Sequence, residues 1–554
     1  MCKSEKTSFV TGAAATALLC VLAFSGVFAN SVFVAGDVSG VWDADSVVVV
    51  DSVTVPPGDT LVIEPGVQVL FLDYFKFYIL DGAVLHAVGT ETDSIEFIPF
   101  LQGDRSLGLD FINASDESIL EYCHINHALT SGVHLENSSI TISHCLIENS
   151  KAPSGSIGGG AVEILSGSNC LIEYSTFQAD TSVDLGGAIY CSQSSPIISN
   201  NLIQNNLAGY GVGSYGGGIA IEGHSNAEIL NNTIRNNVVH ATGLFSLGHA
   251  AGGAISCTDY SNAIISGNLI LDNTVIVEIE TTSDGGAIFI FDASPIISNN
   301  VIAGNQAQGN NGGAFHIYAS QASITNNTIY NNTAGDSGGA IFAQFTTGLT
   351  ITNCILYSNY ANVGPEIYLK NTDMDVSYSD IQGSWPGEGN LDVDPIFRAG
   401  DVNDYHLQDS ISCGDDGYSP LIDAGSPQYI DSLVDCDWGL GFAACDIGAF
   451  GGGAMVTAVD GGSPEIPADF LIVDNYPNPF NAATTIEYSL PEASNVKINV
   501  YDELGRLVRT LLESHQGAGR HSLIWNAAGL ASGMYFYTIQ AGDLAETRKM
   551  LLLE

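Results

Sequence analysis

Basic residues are scarce in this chain: 14 Lys and Arg stand against 61 Asp and Glu in 554 residues, a formal charge of −47. That balance repels nucleic-acid phosphates and anionic lipid surfaces, so nucleic-acid binding is excluded as a function class. Long apolar runs are missing too. Beyond residue 29 none reaches the ~20 residues of a membrane-crossing helix, so no transmembrane segment is expected once a signal is removed. Helical periodicity is absent throughout. Of eleven cysteines nine lie beyond residue 29, an odd number that cannot pair completely within the chain, so no disulfide scaffold is expected. The twelve histidines show no metal-ligand spacing, so no metal site is predicted. The many carboxylates leave Ca²⁺ open as a cofactor.

What the chain has instead is a pair of apolar residues five apart that returns ten times, at an average period just under 30 residues. The pairs run from Leu120/Ile125 and Ile142/Ile147, through Ile229/Ile234 and Ile265/Ile270, to Ile351/Leu356 and Val376/Ile381. Such a period marks stacked units, none of which buries its apolar face alone. Short Ile- and Val-rich segments alternate at period two between Gly, Asn and Ser, which specifies strands and tight turns. Asn201, Asn232, Asn268, Asn300 and Asn327 share one turn position. There Asn tolerates left-handed backbone and its amide can bond the next coil, forming a ladder. Cys123 and Cys145 fall at one repeat position in successive coils, within disulfide reach, and a stacked pair of thiols fits equally well.

About ten residues before seven of the ten pairs comes a Gly-Gly-Ala-Ile type run, as at Gly252–Ile255 and Gly285–Ile288. The connection after the run has nearly constant length, whereas the one before it varies, so insertions collect on one edge in loops such as 205–215, 237–251 and 272–284. The strand after those loops places Tyr190, Phe289, His316 and Phe342 on its outward side, candidate ligand-binding residues suited to stacking on sugar rings. The alternative is that the loops cover them. Asp184, Asp284 and Asp336 each precede a Gly-Gly-Ala run on the same edge and are the candidate catalytic carboxylates of a hydrolytic pair. Between residues 31 and 463 only six Lys or Arg occur, none beside an obvious acidic cluster in sequence. That disfavours proton abstraction of the lyase kind.

These repeats resemble the right-handed parallel β-helix family, which includes pectate lyases, polygalacturonases, phage tailspikes and noncatalytic surface proteins. The resemblance implies an all-β fold, a right-handed parallel β-helix solenoid of at least ten coils. Residues 30–110 read as capping coils, 111–385 as the repeats and 386–453 as a closing segment. The last carries "DVDPIF" at Asp392–Phe397, "SPLIDAG" at Ser419–Gly425 and "DIGAF" at Asp446–Phe450. Cys413, Cys436 and Cys445 lie in it, and which of them pair is open. Residues 1–29, with Lys3 and Lys6 before an apolar run and Val27-Phe28-Ala29 at its end, predict a signal peptide.

After a linker, 454–468, residues 469–554 read "NYPNPFN", "VYDELGR", "ASGMYFY" and "KMLLLE" in order. They resemble the Por, or type IX, secretion sorting domain, an Ig-like sandwich related to the FlgD Ig-like fold. The resemblance implies the type IX machinery as a partner and a secreted or outer-membrane-surface location. The leading expectation is noncatalytic binding of a polysaccharide or cell-surface glycan, or adhesion. The alternatives are a glycoside hydrolase or lyase acting on the loop-rich edge and a passive structural surface component.

Overall fold

Each apolar pair lies on two short strands joined by a polar turn, as in Ile264–Ser266 and Leu269–Leu271. The structure is a computed structural model. It describes residues 31–450 apart from 102–104, 153–157, 210–212, 242–248, 278–281, 399–403, 411–414, 416 and 430–444. It also describes 471–553 apart from 473–479, 482, 491–493, 503–504, 517–518, 528–529, 531 and 543. The signal peptide, the linker, Cys413 and Cys436 lie outside the described residues.

Every strand of the repeats pairs in parallel with its equivalent in the next coil. The result is one 13-stranded stack and a 25-stranded sheet in which two further stacks are joined through Ser46–Val55. Ile229, Ile265, Ile297, Ile324 and Ile351 fall in one register column, and all are wholly buried. Rows of like residues therefore form the core. Cys191 and Cys257 occupy such a row with Ile221 between them. Cys123 and Cys145 are buried free thiols whose sulfurs donate to the carbonyls of Ala87 and Leu120, each at 3.3 Å.

Buried turns are satisfied by side-chain ladders. Asn232 N–H and Nδ2 both donate to Asn268 Oδ1, at 2.8 and 3.0 Å, while Nδ2 also reaches Ile198 O at 2.8 Å. One expectation needs correcting here: these asparagines do not adopt the left-handed backbone themselves. The residue before each does, Asn200, Asn231, Gly267, Asn299 and Asn326, with φ between 52° and 69°. Two neighbours divide the work, one bending the chain and the other bonding the next coil. A second ladder, Asn206, Asn237, Asn273, Asn305, Asn332 and Asn359, runs beside it and ends on Glu366, whose carboxylate accepts from Asn359 Nδ2 at 2.6 Å. Burial pushes Glu366 up to about 7.

The Gly-Gly-Ala run has a steric cause. Gly252 adopts φ +69°, and a Cβ on Gly253 would stand 2.2 Å from the carbonyl oxygen of Gly286 in the next coil. Only glycine lets the coils stack so closely at this corner.

The segment after residue 385 does not simply cap the last coil. Its DIGAF motif runs back along the outside of the solenoid: Gly448 N–H bonds Asn353 O at 2.8 Å, Ala449 N–H bonds Thr328 Oγ1 at 3.0 Å, and Asn299 Nδ2 donates to Ala449 O at 3.2 Å. Ala449 and Phe450 pack there against Leu271, Val301 and Ala303. Cys445 is buried, and its sulfur accepts from Asn353 Nδ2 at 3.3 Å.

Residues 454–554 form a second compact unit. A three-stranded and a five-stranded sheet enclose Ile486, Ile498, Trp525 and Tyr537, the arrangement of a small Ig-like β-sandwich.

Candidate functional site

The strands that follow the Gly-Gly-Ala runs pair without slippage, so their second residues form one outward column. Beyond Thr54 and Tyr78 it runs through Asp110, His134, Glu163 and Tyr190, passes the small Ala220 and Ser256, and ends on Phe289, His316, Phe342 and Tyr368. The order is polar, then small, then aromatic.

The polar part holds an unexpected ion pair. Lys76 Nζ lies 2.5 Å from Asp110 Oδ2, although the two are 34 residues apart and look unrelated in sequence. In the next coils His134 Nδ1 sits 2.7 Å from Glu163 Oε2. Burial lowers the His134 imidazole, but Glu163 and Asp110 outweigh it and raise it above its ordinary value. Tyr190 donates its hydroxyl to Glu222.

The aromatic part is covered. Tyr190, Phe289, His316 and Phe342 are only 1 to 6% exposed, so they do not present open faces to a sugar. The insertions before these strands fold over the column as a small parallel sheet, Gly213–Tyr215, His249–Ala251 and Thr282–Asp284. The Tyr215 ring stacks on Phe289 with centroids 5.8 Å apart, filling the space that Ala220 and Ser256 leave.

Asp284 is the centre of this cover. Its Oδ2 lies 2.8 Å from His249 Nε2 and its Oδ1 2.9 Å from His316 Nδ1. His249 Nδ1 faces the Tyr215 hydroxyl at 3.1 Å. Burial raises the Asp284 carboxyl, but the charge of His316 and the hydrogen bond and charge of His249 outweigh it and hold it well below the usual carboxylate range. The Tyr215 phenol moves up instead, chiefly through burial and then through Asp284. The structure thus brings Asp284 and His316 together and adds His249 and Tyr215, which stand at the ends of the variable-length insertions that precede the Gly-Gly-Ala type runs.

The other two aspartates stay apart from it. Asp284 stands three coils beyond Leu185, the neighbour of Asp184, and two coils before Ser337, the neighbour of Asp336. At ~4.8 Å per coil, Asp184 lies roughly 14 Å and Asp336 roughly 10 Å from Asp284 along the axis, so Asp184 falls outside the ~5–10 Å of a glycosidase pair and Asp336 stands at its upper end. Among the described residues no three His, Cys, Asp or Glu side chains converge as a metal ion requires.

Open aromatic surface lies one column further out. Phe291 is 42% exposed and Phe345 48%, with the half-buried Tyr318 between them at centroid distances of 5.3 and 5.6 Å. Phe291 also lies alongside Phe289, 6.3 Å away and 15° from parallel. The sequence reading missed this shelf because the turn residue Phe345 breaks the strand alternation.

Comparison with protein families decides the assignment. Residues 102–251, 156–322 and 246–381 match the family described as "Right handed beta helix region", and the overlapping matches together span 102–381, half of the chain. The chain belongs to the right-handed β-helix family. This β-helix protein also matches "Secretion system C-terminal sorting domain" over residues 474–553. It is therefore a type IX-exported β-helix protein, delivered to the cell surface or beyond, and its C-terminal unit engages the secretion machinery. No curated protein and no solved structure matches it.

Proposed function

We propose that the exported β-helix protein binds a neutral polysaccharide along its loop-rich edge. The observation that carries this reading is the exposed shelf of Phe291, Tyr318 and Phe345, three rings spaced by about one coil. Aromatic faces recognise the apolar faces of sugar rings, and a row of them selects an extended chain over a single sugar. Charge selects the kind of chain. A formal −47 disfavours polyuronates and sulfated glycans, leaving neutral polymers as the better match.

The test is retardation of the full-length secreted protein in gels cast with neutral or acidic polysaccharide. Retardation by a neutral polymer should fall at least tenfold in a Phe291→Ala/Phe345→Ala double variant. Equal retardation of variant and parent would place binding off the shelf, and mobility unaffected by every neutral polymer would leave the passive structural role.

A further inference from the structure

We propose that Tyr215, His249 and Asp284 form an acid–base centre that hydrolyses ester groups carried by the bound glycan. The proposal rests on the binding reading for its substrate, but its chemistry is argued from the cluster alone.

The three side chains come from three successive coils and form one hydrogen-bonded line. Asp284 stays ionised, so His249 Nε2 carries the proton it donates to Oδ2, which leaves Nδ1 as the acceptor facing Tyr215. Burial differs along the line: the His249 side chain is 29% exposed, whereas Asp284 and His316 are 7% and 8% exposed. The accessible group is thus the base, and its orienting carboxylate is sheltered. That division is what a histidine general base needs, because the buried carboxylate fixes the ring and stabilises the imidazolium that forms. His316, held between Phe289 and Phe342, lies 2.9 Å from the other carboxylate oxygen, its ring nitrogens outside hydrogen-bond geometry. It is a positioning residue.

The place suits a substrate on the shelf. The His249 ring is 5.3 Å from Phe289, which lies beside the exposed Phe291. One buried ring, Phe289, thus separates the partly exposed His249 from the shelf.

The residues also select the reaction class. Glycoside hydrolysis needs two carboxylates free to face one bond, whereas both oxygens of Asp284 are engaged by His249 and His316 and Asp336 is two coils, roughly 10 Å, away. Elimination from a uronate needs a cation on the sugar carboxylate, and Arg235, the nearest basic residue in sequence, is bonded to Gln204 at 2.9 and 3.0 Å. Ester hydrolysis needs a base held by a carboxylate and a donor for the oxyanion, which are the groups present. In the step, the ester carbonyl draws the Tyr215 hydroxyl from His249 Nδ1 and a water takes its place on that nitrogen. The water oxygen attacks the acyl carbon while its proton passes to Nδ1. Tyr215, kept protonated by its raised value, donates to the carbonyl oxygen as negative charge builds. The bond from the acyl carbon to the sugar oxygen then breaks, that oxygen takes the proton from Nδ1, and a carboxylic acid and a free sugar hydroxyl leave.

The experiment measures acetate released from acetylated xylan, and p-nitrophenol from p-nitrophenyl acetate, by the full-length secreted protein. Release from both is expected. His249→Ala should lower both rates about 10²–10⁴-fold, the usual contribution of a general base, with an unchanged unfolding temperature. Tyr215→Phe should lower them at least tenfold. The Phe291→Ala/Phe345→Ala variant should lose turnover on xylan and keep its rate on the small ester. If that variant keeps both rates while His249→Ala loses both, the ester centre stands and the shelf reading falls. A parent protein no faster than buffer on either ester, or a folded His249→Ala with the parental rate, overturns the proposal.

Discussion

An asparagine inside a parallel stack serves two coils at once. Asn268 Oδ1 accepts two bonds from Asn232, and its own Nδ2 donates to Ile229 O and Asn300 Oδ1 at 2.8 and 2.9 Å. Replacing it by Ala leaves the Asn232 donors buried and unpaired. We expect Asn268→Ala to destabilise the solenoid by about 2–5 kcal/mol in urea unfolding, since each orphaned group costs about 1–3 kcal/mol, against almost nothing for the exposed Asn226→Ala. The ladder of Asn201 and its equivalents was legible because those residues recur at one offset from the isoleucines. The second ladder escaped notice because Asn206 and its partners sit where any polar turn residue would serve. A different residue-scale prediction concerns His124, clamped between Glu96 at 2.7 Å and Glu148 at 3.1 Å. Burial lowers His124, but the two carboxylates outweigh it and raise it, while the hydrogen bond from His124 leads in lowering Glu96. The raised histidine adds stability that is full below its unfolded value of about 6.5 and vanishes as pH rises through its folded value. The lowered Glu96 adds stability above about 4.3 that is lost as pH falls through its folded value. His124→Ala should therefore lower the melting temperature more at pH 6 than at pH 9; equal losses at both would remove the ion pairs from the account.

Among the elements, the corner glycines and the insertions show opposite sides of what sequence reveals. Gly187, Gly217, Gly253, Gly286, Gly313 and Gly339 each back onto a carbonyl of the next coil, which is why the run repeats visibly. Gly253→Ala places a methyl group 2.2 Å from Gly286 O, and a rigid ladder on both sides cannot yield. A loss of about 1–3 kcal/mol is expected in equilibrium unfolding; a neutral result would mean that adjacent coils separate freely at this corner. Insertions pair coil to coil but vary in length and residue type. Tyr215 precedes Gly216 as Asp284 precedes Gly285, yet the residue at this position and at that of His249 changes from coil to coil, so nothing in the sequence marked the three as partners. The covered state of Phe289, His316 and Phe342 was illegible for the same reason: period two predicts which side a residue faces, and cannot predict what folds over it.

At the scale of the whole molecule, charge dominates. With a formal charge of −47, self-repulsion opposes the folded state, and salt should relieve it. Raising NaCl from 20 to 500 mM is expected to increase the melting temperature by several degrees, and a decrease would show that ion pairs such as Lys76–Asp110 outweigh the repulsion. One further consequence follows from the segment that doubles back over the coils. A stack held by nearest-neighbour contacts is weakest at its last layer, where a pull along the chain peels one coil after another. Here the chain leaves from Phe450, after contacts that reach back to the coils of Asn353, Thr328 and Asn299. A pull on Phe450 would therefore be shared among three coils instead of loading the last one alone.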